Sequence, residues 1–366
     1  MGPARVYVEA FPVRLSPPSR SSAPLLLYSS AMDPSLRETL RRHDGFSGTV
    51  RAFFRDRGYV EVETPVLSPF LIPEPAIEVF QAQYVPGRGS PRPLWLAPSP
   101  ELWMKRLLAA GSGDIFQISR SFRNGDYGGP HHNPEFRLLE WYTVGCGYLQ
   151  SIDVTEELFR RMIAEGQAAR PEAELAPPFA RLTMEEAFRE LAHIDLARCQ
   201  EPGQLIDEAR RAGLDVRDSP TWEQAFHLLF LTLVEPELPR DRPLVLLDYP
   251  AQVPTTARRK AGTPWSERWE LFVDGVEVAN VYTEETDAAT LRALVAEEAG
   301  RRAGCRTQHA VDAGFADVFP KDFPACTGAA LGMDRLEMVF SGLPSLQGVI
   351  LFPFSAILGG QSADRE

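Results

Sequence analysis

Residues 115–144 decide the fold, and they read IFQISRSFRNGDYGGPHHNPEFRLLEWYTV. The two ends of this stretch are rich in residues that favour strands, and a polar, glycine-rich segment separates them. These ends are Ile115–Phe122 and Glu135–Val144. This pattern predicts an antiparallel hairpin with a long loop. Arg123 follows the first strand and Phe136 opens the second. A guanidinium that forks onto a phosphate and a ring that faces a base indicate a nucleotide site, although an edge hairpin with solvated charges has the same composition.

A second hairpin is predicted around Asp274-Gly275, because this dipeptide is a strong signal for a two-residue turn. Such a turn pairs Phe272 with Glu277 and Glu270 with Ala279, so these side chains share one face. Glu270 and Glu277 then lie diagonally, roughly 7–8 Å apart at the backbone. Two carboxylates at this separation suit Mg²⁺ with phosphate ligands, and two acids on a solvated outer face are the alternative.

Asn280 and Glu284 continue the same strand with a different parity from Glu277. A regular strand would point them to the opposite face. If all of these side chains line one pocket, a bulge must lie between Glu277 and Asn280.

The run GAALGMDRL at 328–336 combines small residues with an arginine. Small residues allow close approach of the backbone, and Arg335 near a helix start is able to reach an anion. We predict a helix over 331–340, entered from Gly328. The alternative is a buried packing site in which Arg335 pairs with an acid.

Around these segments the chain predicts an α+β fold, an antiparallel sheet flanked by helices. One helix, or two short ones broken near Gly45, follows Pro34 and ends at Gly58. Further helices are predicted at 102–108, 154–165, 184–192, 203–212, 222–234 and 289–303, and further strands at 59–63, 245–249, 269–273, 276–282 and 349–352. Residues 1–33 are rich in Pro and Ser, which predicts either a disordered tail or a wrongly assigned translation start, with Met32 as the true initiator. Residues 34–358 form one predicted catalytic domain with a helical insertion at about 151–235, and 359–366 form a tail.

The composition excludes several classes of protein. Hydrophobic residues make up 44% and charged residues 24%, which is typical of a globular protein and excludes a disordered or collagen-like chain. The net charge of −12 argues against sequence-independent binding of nucleic acid. No run approaches the roughly 20 apolar residues of a membrane span. The four cysteines lack metal or redox spacing and are expected to be free thiols in a reducing cytosol.

The order of these segments resembles the three signature motifs of class II aminoacyl-tRNA synthetases. The helix ending at Gly58, the strand after it and Pro65 resemble the first motif. Phe122-Arg123 through Phe136 resembles the second, and Gly332-Met333-Asp334-Arg335 resembles the third.

Within that class the chain is most similar to lysyl-tRNA synthetase over residues 36–353. The similar segments are Ser99-Pro100-Glu101, His132-Asn133-Pro134-Glu135-Phe136, Glu140-x-Tyr142, Asp248-Tyr249-Pro250-Ala251 and Asn280-x-x-x-Glu284. Only about 35 residues precede the first helix, too few for the OB-fold that reads the anticodon, so no anticodon recognition is expected. The chain therefore resembles the elongation factor P–(R)-β-lysine ligases. Ala330, five residues before Arg335, agrees with this family, where lysyl-tRNA synthetases have Gly.

The resemblance implies roles for two groups of residues, with ATP and Mg²⁺ as cofactors. Arg123 would hold the α-phosphate and the substrate carboxylate, Arg335 the γ-phosphate, and Glu270 and Glu277 the Mg²⁺. The implied ATP-binding set is Arg123, Asn124, Gly125, His132, Asn133, Phe136, Glu277, Val278, Gly332 and Arg335. The implied substrate-binding set is Ser99, Pro100, Glu101, Glu140, Tyr142, Asn280, Glu284 and Ala330. Glu101 would bind the amino group near the carboxylate, and Glu140, Tyr142 and Glu284 the distal ammonium.

Three positions depart from the family. Gly125 stands where an acid is usual, with Asp126 one step later. Val281 stands where Gly is usual, and Pro98 stands where Thr is common.

The resemblance implies a cytoplasmic enzyme that activates (R)-β-lysine or lysine with ATP and transfers it to elongation factor P. A homodimer is expected, because class II folds usually dimerise through the first motif. The alternatives are a truncated synthetase that charges tRNA and a non-catalytic paralogue that binds an amino acid. The second alternative conflicts with the retained Arg123, Glu270, Glu277 and Arg335, since paired carboxylates without a cation are costly.

Overall fold

The computed structural model describes residues 34–125, 129–216, 221–312, 314–318 and 323–358. The tails predicted over 1–33 and 359–366 lie outside the described residues, as does Asp126. The helices are α1 (Pro34–Asp56), α2 (Glu101–Ala109), α3 (Tyr148–Ala164), α4 (Met184–Ala187), α5 (Pro202–Arg211), α6 (Trp222–Leu229), α7 (Ala288–Arg301), α8 (Met333–Phe340) and α9 (Phe354–Ile357). The strands are β1 (Val60–Glu61), β2 (Leu67–Ser68), β3 (Gln81–Tyr84), β4 (Arg92–Leu96), β5 (Ile115–Phe122), β6 (Glu135–Val144), β7 (Ala180–Thr183), β8 (Leu244–Leu247), β9 (Arg268–Val273), β10 (Val276–Thr283) and β11 (Cys326–Gly332).

Eight strands form the central sheet in the order β1-β5-β6-β11-β10-β9-β8-β7. The two outermost pairs are parallel, and the pairs between them are antiparallel. A separate three-stranded sheet has the order β2-β4-β3. The predicted α+β fold, an antiparallel sheet flanked by helices, is confirmed.

One face of the central sheet is covered by α1, α3 and α8. Their apolar residues form the main core with side chains of the sheet such as Trp141, Trp269 and Leu331. The neighbours of these residues along each strand point to the other face, since successive side chains alternate. That second face carries polar groups, Glu140 and Glu270 among them, and it holds the site described below.

Residues 184–246 contribute a second core. Side chains of α4, α5 and α6 pack with Leu244, Leu246 and Phe272 at the far edge of the sheet. Helix α3 belongs to the main core instead. The insertion that the sequence predicts at about 151–235 thus contains residues of both cores, and its status as a separate unit stays a prediction.

Several predicted elements are confirmed with small shifts. The hairpin strands β5 and β6 have the predicted bounds. Helix α1 runs through Gly45 without a break, which settles the choice between one helix and two. The strand predicted at 59–63 shortens to β1. The four cysteines are free thiols.

Two predictions near the C-terminus are wrong. Residues 326–332 form β11, and the helix predicted from 331 begins at Met333. The Gly- and Ala-rich run has little intrinsic strand propensity, but β6 and β10 pair with it on both sides and decide its conformation. Residues 349–352 form no strand, and Val349 instead ends a short turn that starts at Leu346.

The predicted bulge in β10 is confirmed, and it corrects one predicted pair. The register shifts between Glu277 and Ala279, so that Glu270 faces Asn280 and not Ala279. Ala279 pairs with Leu271 and joins the main core.

Candidate active site

The polar face of the central sheet holds a cavity of about 900 Å³. Strands β6, β10 and β11 contribute to its lining together with residues 72–77, residues 253–256, α6 and α7. The predicted site residues in its lining are Ser99, Glu101, Arg123, Glu140, Tyr142, Asn280 and Ala330. The remaining predicted residues lie outside the lining: Pro100, Asn124, Gly125, His132, Asn133, Phe136, Glu270, Glu277, Val278, Glu284, Gly332 and Arg335.

Arg123 lies just beyond the end of β5 and faces the cavity. Its backbone N–H donates to the carbonyl of Pro134 at 3.0 Å, which fixes it across the base of the hairpin loop. Its guanidinium carbon lies 5.3 Å from the ring centre of Phe136, and its buried Nε has no hydrogen-bond partner among the described residues. A buried donor without a partner is costly, so the site favours an anion at this position.

Arg335 in the first turn of α8 is held by two neighbouring elements. Its Nη1 donates to the carbonyl of Glu277 at 2.9 Å, and its Nε donates to the carbonyl of His131 at 3.1 Å. Its Nη2 lies 2.9 Å from His132 Nε2 and its Nη1 3.6 Å from the Glu277 carboxylate. Burial and the charge of Arg335 lower the pKa of His131. Arg335 therefore joins the hairpin loop to the bulge in β10.

Asp334 anchors this helix start on the sheet. Its carboxylate accepts from the backbone N–H and from Nε of Arg137 on β6, at 2.8 and 2.7 Å. Asn133 fixes the loop in a similar way, because its amide donates to the carbonyl of Glu135 and accepts from the backbone N–H of Phe354.

Glu270 lies in the middle of a buried polar cluster. It accepts from the Tyr249 hydroxyl at 2.5 Å and from Arg268 Nη2 at 2.6 Å, and Arg268 Nε also donates to the Asn280 side chain at 3.0 Å. Burial, and then the charge of Glu277, raise the pKa of Glu270 to about 7.

The two carboxylates on this face fit a magnesium ion that arrives with a nucleotide. The described residues contain no group of three or more His, Cys, Asp or Glu side chains that would hold a metal alone. Mg²⁺ is usually bound by one or two carboxylates together with phosphate oxygens and water. Glu270 is buried and Glu277 is half exposed, so one carboxylate lies inside the protein and the other borders solvent.

A lysine that the sequence analysis missed lies behind the wall of the cavity, at the end that is predicted to bind the amino acid. Lys105 is fully buried, and its Nζ contacts Glu101 Oε1 at 2.5 Å, Glu284 Oε2 at 2.8 Å and Thr256 Oγ1 at 3.0 Å. The Tyr282 hydroxyl also lies 3.3 Å from Glu101 Oε1. The signal was a lysine on the apolar face of a predicted helix, one turn after an acid.

Three further carboxylates near this end are shifted towards their neutral form. Burial, and then Glu101, raise the pKa of Glu140 well above its usual range, and burial raises the pKa of Glu284 to about 7. The Tyr142 hydroxyl donates to Glu140 Oε1 at 3.0 Å, while Oε2 has no hydrogen-bond partner among the described residues. Glu74, which lines the cavity and was not predicted, has a pKa of about 7 through burial and the charge of Glu101.

Strand β11 supplies the small residues next to these acids. Ala330 lies between Glu140 on β6 and Asn280 on β10. Gly328 lies between Tyr142 and Tyr282, and a Cβ atom there would meet Glu284 Oε1 at 2.6 Å and Tyr142 Cε1 at 2.7 Å. Only glycine fits at 328 without displacing these groups.

Comparisons with known proteins show which family and which relatives the chain is similar to. The family profile described as tRNA synthetases class II (D, K and N) matches residues 27–356. An elongation factor P–(R)-β-lysine ligase homologue of Aquifex aeolicus is 35% identical over 303 residues, which cover 83% of this chain and 95% of that protein. The elongation factor P–(R)-β-lysine ligase of Yersinia enterocolitica is 35% identical over 316 residues, covering 83% and 91%. A lysine–tRNA ligase of Pelotomaculum thermopropionicum is 29% identical over 343 residues, covering 88% and 64%. Within the described part of the chain, every helix is too short or too polar to cross a membrane.

Proposed function

We propose that this chain, which belongs to the class II tRNA synthetases of the D, K and N group, activates (R)-β-lysine or lysine with ATP and joins it to a lysine side chain of elongation factor P. The ligases of Aquifex aeolicus and Yersinia enterocolitica support this acceptor, because their names state it and their identity to this chain is 35%.

One observation carries the proposal: a single cavity is lined by Arg123 and by the acids Glu101 and Glu140. An amino acid with two ammonium groups and one carboxylate has the charges to complement such a lining. Oε2 of Glu140 and Nε of Arg123 are buried and have no hydrogen-bond partner among the described residues, so a ligand at these atoms would be favourable.

The first step of the proposed reaction forms an adenylate. A carboxylate oxygen of the amino acid attacks the α-phosphorus of ATP, the bond to the bridging oxygen of the β-phosphate breaks, and pyrophosphate leaves. Arg123 would hold both the carboxylate and the α-phosphate, which brings the reacting atoms together and stabilises the charge that develops. Arg335 would exchange its contacts with the carbonyls of His131 and Glu277 for the γ-phosphate.

Glu270 and Glu277 would hold the magnesium ion, which neutralises charge on the phosphates when it is bound. They share one face because Glu277 pairs with Phe272, which has the same parity on β9 as Glu270, and the bulge brings Asn280 to this face as well. Phe136 would contact the adenine, and His132 and Asn133 would border it. The side chain of Val278 is buried in the main core, which leaves its backbone for the nucleotide.

The second step transfers the aminoacyl group. The ε-amine of the acceptor lysine, after loss of a proton, attacks the carbonyl carbon of the mixed anhydride. The bond from this carbon to the phosphate oxygen then breaks, AMP leaves, and an isopeptide bond joins the two lysines. The enzyme needs no covalent nucleophile for either step, so positioning and charge stabilisation account for its catalysis.

A label-transfer assay tests the acceptor. Purified protein is mixed with ATP, Mg²⁺ and labelled lysine or (R)-β-lysine, and then with purified elongation factor P or with bulk tRNA from the source organism. We expect RNase-resistant label on the elongation factor, and mass spectrometry then locates the modified lysine. Label found only on RNA would make the protein a tRNA-charging enzyme, which the likeness to a lysine–tRNA ligase also allows.

We further propose a cytoplasmic homodimer. ATP and a translation factor are the substrates in this reaction, and both belong to the cytoplasm. Class II synthetase folds commonly pair through their first motif, which corresponds here to α1, β1 and Pro65. Light scattering on the purified protein measures the mass, and a value close to 40.7 kDa would contradict the dimer.

A further inference from the structure

Lys105 lies behind the wall of the amino-acid pocket and connects the acids at its two ends. Its ammonium has three donors, and it contacts three side-chain oxygens, on Glu101, Glu284 and Thr256. Lys105 is fully buried and is absent from the cavity lining, so it is not itself in the substrate's space. Two rings border it, with the centres of Tyr282 and Phe315 at 5.7 and 5.8 Å.

This lysine stays charged in spite of its burial. Burial alone lowers the pKa of a lysine, but Glu101 and then Glu284 raise the pKa of Lys105 well above its usual range. The titratable groups that interact with it come from several elements: Glu101 on α2, Glu140 on β6, Tyr282 on β10, Glu284 after β10, Cys326 on β11 and Glu74 on the loop before β3. Lys105 therefore balances a group that consists mainly of acids, and Arg123 and Arg302 also act on Glu74.

The contacts of Lys105 also fix the orientation of its partners. All described side-chain contacts of Glu101, from Lys105, Thr256 and Tyr282, go to the same oxygen, Oε1. The carboxylate itself lines the cavity, so its second oxygen is available to a ligand. Lys105 likewise contacts Oε2 of Glu284, whose Oε1 lies behind Gly328.

We infer that Lys105 is a positioning residue that acts as a shared counter-ion, keeping Glu101 and Glu284 oriented for the two ammonium groups of a diamino acid. The inference rests on the proposed function, since it takes the bound substrate to be a diamino acid. Lysine is the suitable residue for this role, because its compact ammonium serves several acceptors in different directions, whereas a guanidinium is planar and larger.

Replacement of Lys105 by methionine tests this role with kinetics. Without the ammonium, the pKa of Glu284 is expected to rise above about 7, so that more of this acid is protonated at neutral pH and its attraction for a substrate ammonium is weaker. A rise of one pKa unit lowers the ionised fraction of Glu284 at pH 7 from about one half to about one tenth. At pH 7 the KM for the amino acid should therefore rise about fivefold or more, while the KM for ATP changes less than about twofold. Because higher pH removes that proton, the difference from the wild type should narrow towards pH 9.

Lys260→Met is the matched control. Lys260 also forms an ion pair, with Asp248 at 2.9 Å, but it lies outside the cavity lining and is part of no step above. Its loss should leave both KM values and their pH dependence unchanged. A Lys105→Met variant whose two KM values change alike, or whose defect is the same at pH 7 and pH 9, would show a merely structural role and overturn the inference.

A double-mutant cycle with Glu284→Gln separates the two explanations further. Gln resembles the protonated acid, so Glu284→Gln should impair amino-acid binding in the wild type and add little in the Lys105→Met background. Additive effects would contradict the shared role. Lys105→Gln replaces Lys105→Met in all of these measurements if the methionine variant does not fold.

A direct titration keeps the inference distinct from the proposed function. The side-chain carboxyl carbon of Glu284, labelled with ¹³C and assigned by its absence in Glu284→Gln, should titrate at higher pH in Lys105→Met than in the wild type. An unchanged midpoint overturns the counter-ion role whatever the substrate is. If the wild type forms neither lysyl nor β-lysyl adenylate, the proposed function fails, while the titration still decides the role of Lys105.

Discussion

The proposed nucleotide half of the site, around Arg335, and the proposed amino-acid half, around Lys105, hold their cations in different ways. In the nucleotide half, Arg335 donates to two backbone carbonyls, and its side chain is 24% exposed. In the amino-acid half, Lys105 is fully buried and contacts the side chains of Glu101, Glu284 and Thr256. Arg335 is held mainly by the backbone, and Lys105 is held by side chains that depend on each other.

This difference has consequences for substitutions. A group that binds backbone carbonyls near solvent is replaced by a phosphate, or removed, without leaving a buried charge behind. A buried ion pair that loses one member leaves the other unpaired, which is strongly destabilising. Removal of Arg335 is therefore expected to affect activity alone, and changes around Lys105 are expected to affect activity and stability together.

The largest effect on activity is expected for Arg123→Ala. Its guanidinium would contact both reacting groups, and its Nε has no protein partner to lose among the described residues. ATP–pyrophosphate exchange should fall by about a thousandfold or more. The free energy of unfolding, measured in urea, should change by less than about 1 kcal/mol.

Arg120→Ala is the control for this substitution. Arg120 lies on β5, shortly before Arg123, its side chain is 56% exposed, and its ion pair with Glu135 is 3.7 Å long. Surface pairs of this kind contribute little, so neither exchange nor stability should change. Wild-type exchange in the Arg123→Ala variant would remove Arg123 from the site.

Gly328→Ala should affect both properties, as the comparison requires. The added methyl group meets Glu284 Oε1 and Tyr142 Cε1 at distances that force a shift. We expect the KM for the amino acid to rise by about 10- to 100-fold and the protein to lose roughly 1–3 kcal/mol of stability.

Gly203→Ala provides the matched control. Gly203 lies in α5, and a Cβ there meets nothing within 4 Å. This control should keep full activity. A Gly328→Ala variant that lost binding without any loss of stability would break the distinction between the two halves.

Ala330→Gly should change specificity more than rate. Ala330 lines the cavity between Glu140 and Asn280, where one methyl group less leaves room beside the amino group of the substrate. The ratio of kcat/KM for α-lysine over (R)-β-lysine should rise by about tenfold, the usual effect of one methyl group. Equal ratios in the two proteins would show that Ala330 does not discriminate between the isomers.

The smallest effect is expected from pH in the unaltered protein. Because the pKa of Glu284 is about 7, this acid is largely neutral at pH 6 and ionised at pH 8. The kcat/KM for the amino acid should therefore rise a few-fold over this range, and Glu284→Gln should flatten the rise.

The contribution of Glu284 to stability changes with pH in the opposite direction. A raised carboxyl pKa means that the folded state binds the proton more tightly than the unfolded state does. Its contribution to the free energy of unfolding falls between the unfolded pKa, about 4.5, and about 7. A stability that increased over this interval in the wild type relative to Glu284→Gln would contradict the shift.

The sequence predicted the hairpin strands and the bulge around the proposed nucleotide half, for physical reasons that are visible in single residues. The β5–β6 hairpin has β-rich ends and a polar loop, so local propensity and tertiary structure agree. The bulge was predicted from the expected roles of Glu277 and Asn280. These residues are three positions apart, so they lie on one face of the strand only if it contains one extra residue between them. Whether the predicted side chains bind ATP, magnesium and a diamino acid stays a prediction.

The sequence was less informative about the amino-acid half. Strand β11 was missed because Gly and Ala have little strand propensity, and its pairing with two neighbouring strands makes it a strand. Lys105 was missed because its role depends on Glu284, which is distant in sequence and approaches it only after folding. Local patterns identify residues that act through their neighbours in the chain, and contacts of this kind lie outside their reach.

The extra residue in β10 acts as a phase shift within a single strand. Before the bulge, odd-numbered residues such as Glu277 face the polar side of the sheet. After it, even-numbered residues such as Asn280 and Tyr282 face that side. A regular strand of the same residues would instead turn Asn280 and Tyr282 to the apolar side of the sheet. A chain that lost Val278 would keep the present pairs of Ala279 and Asn280 and would keep both Glu277 and Asn280 on the polar face. Among relatives of this protein, a one-residue gap at this point would therefore be compatible with an intact site.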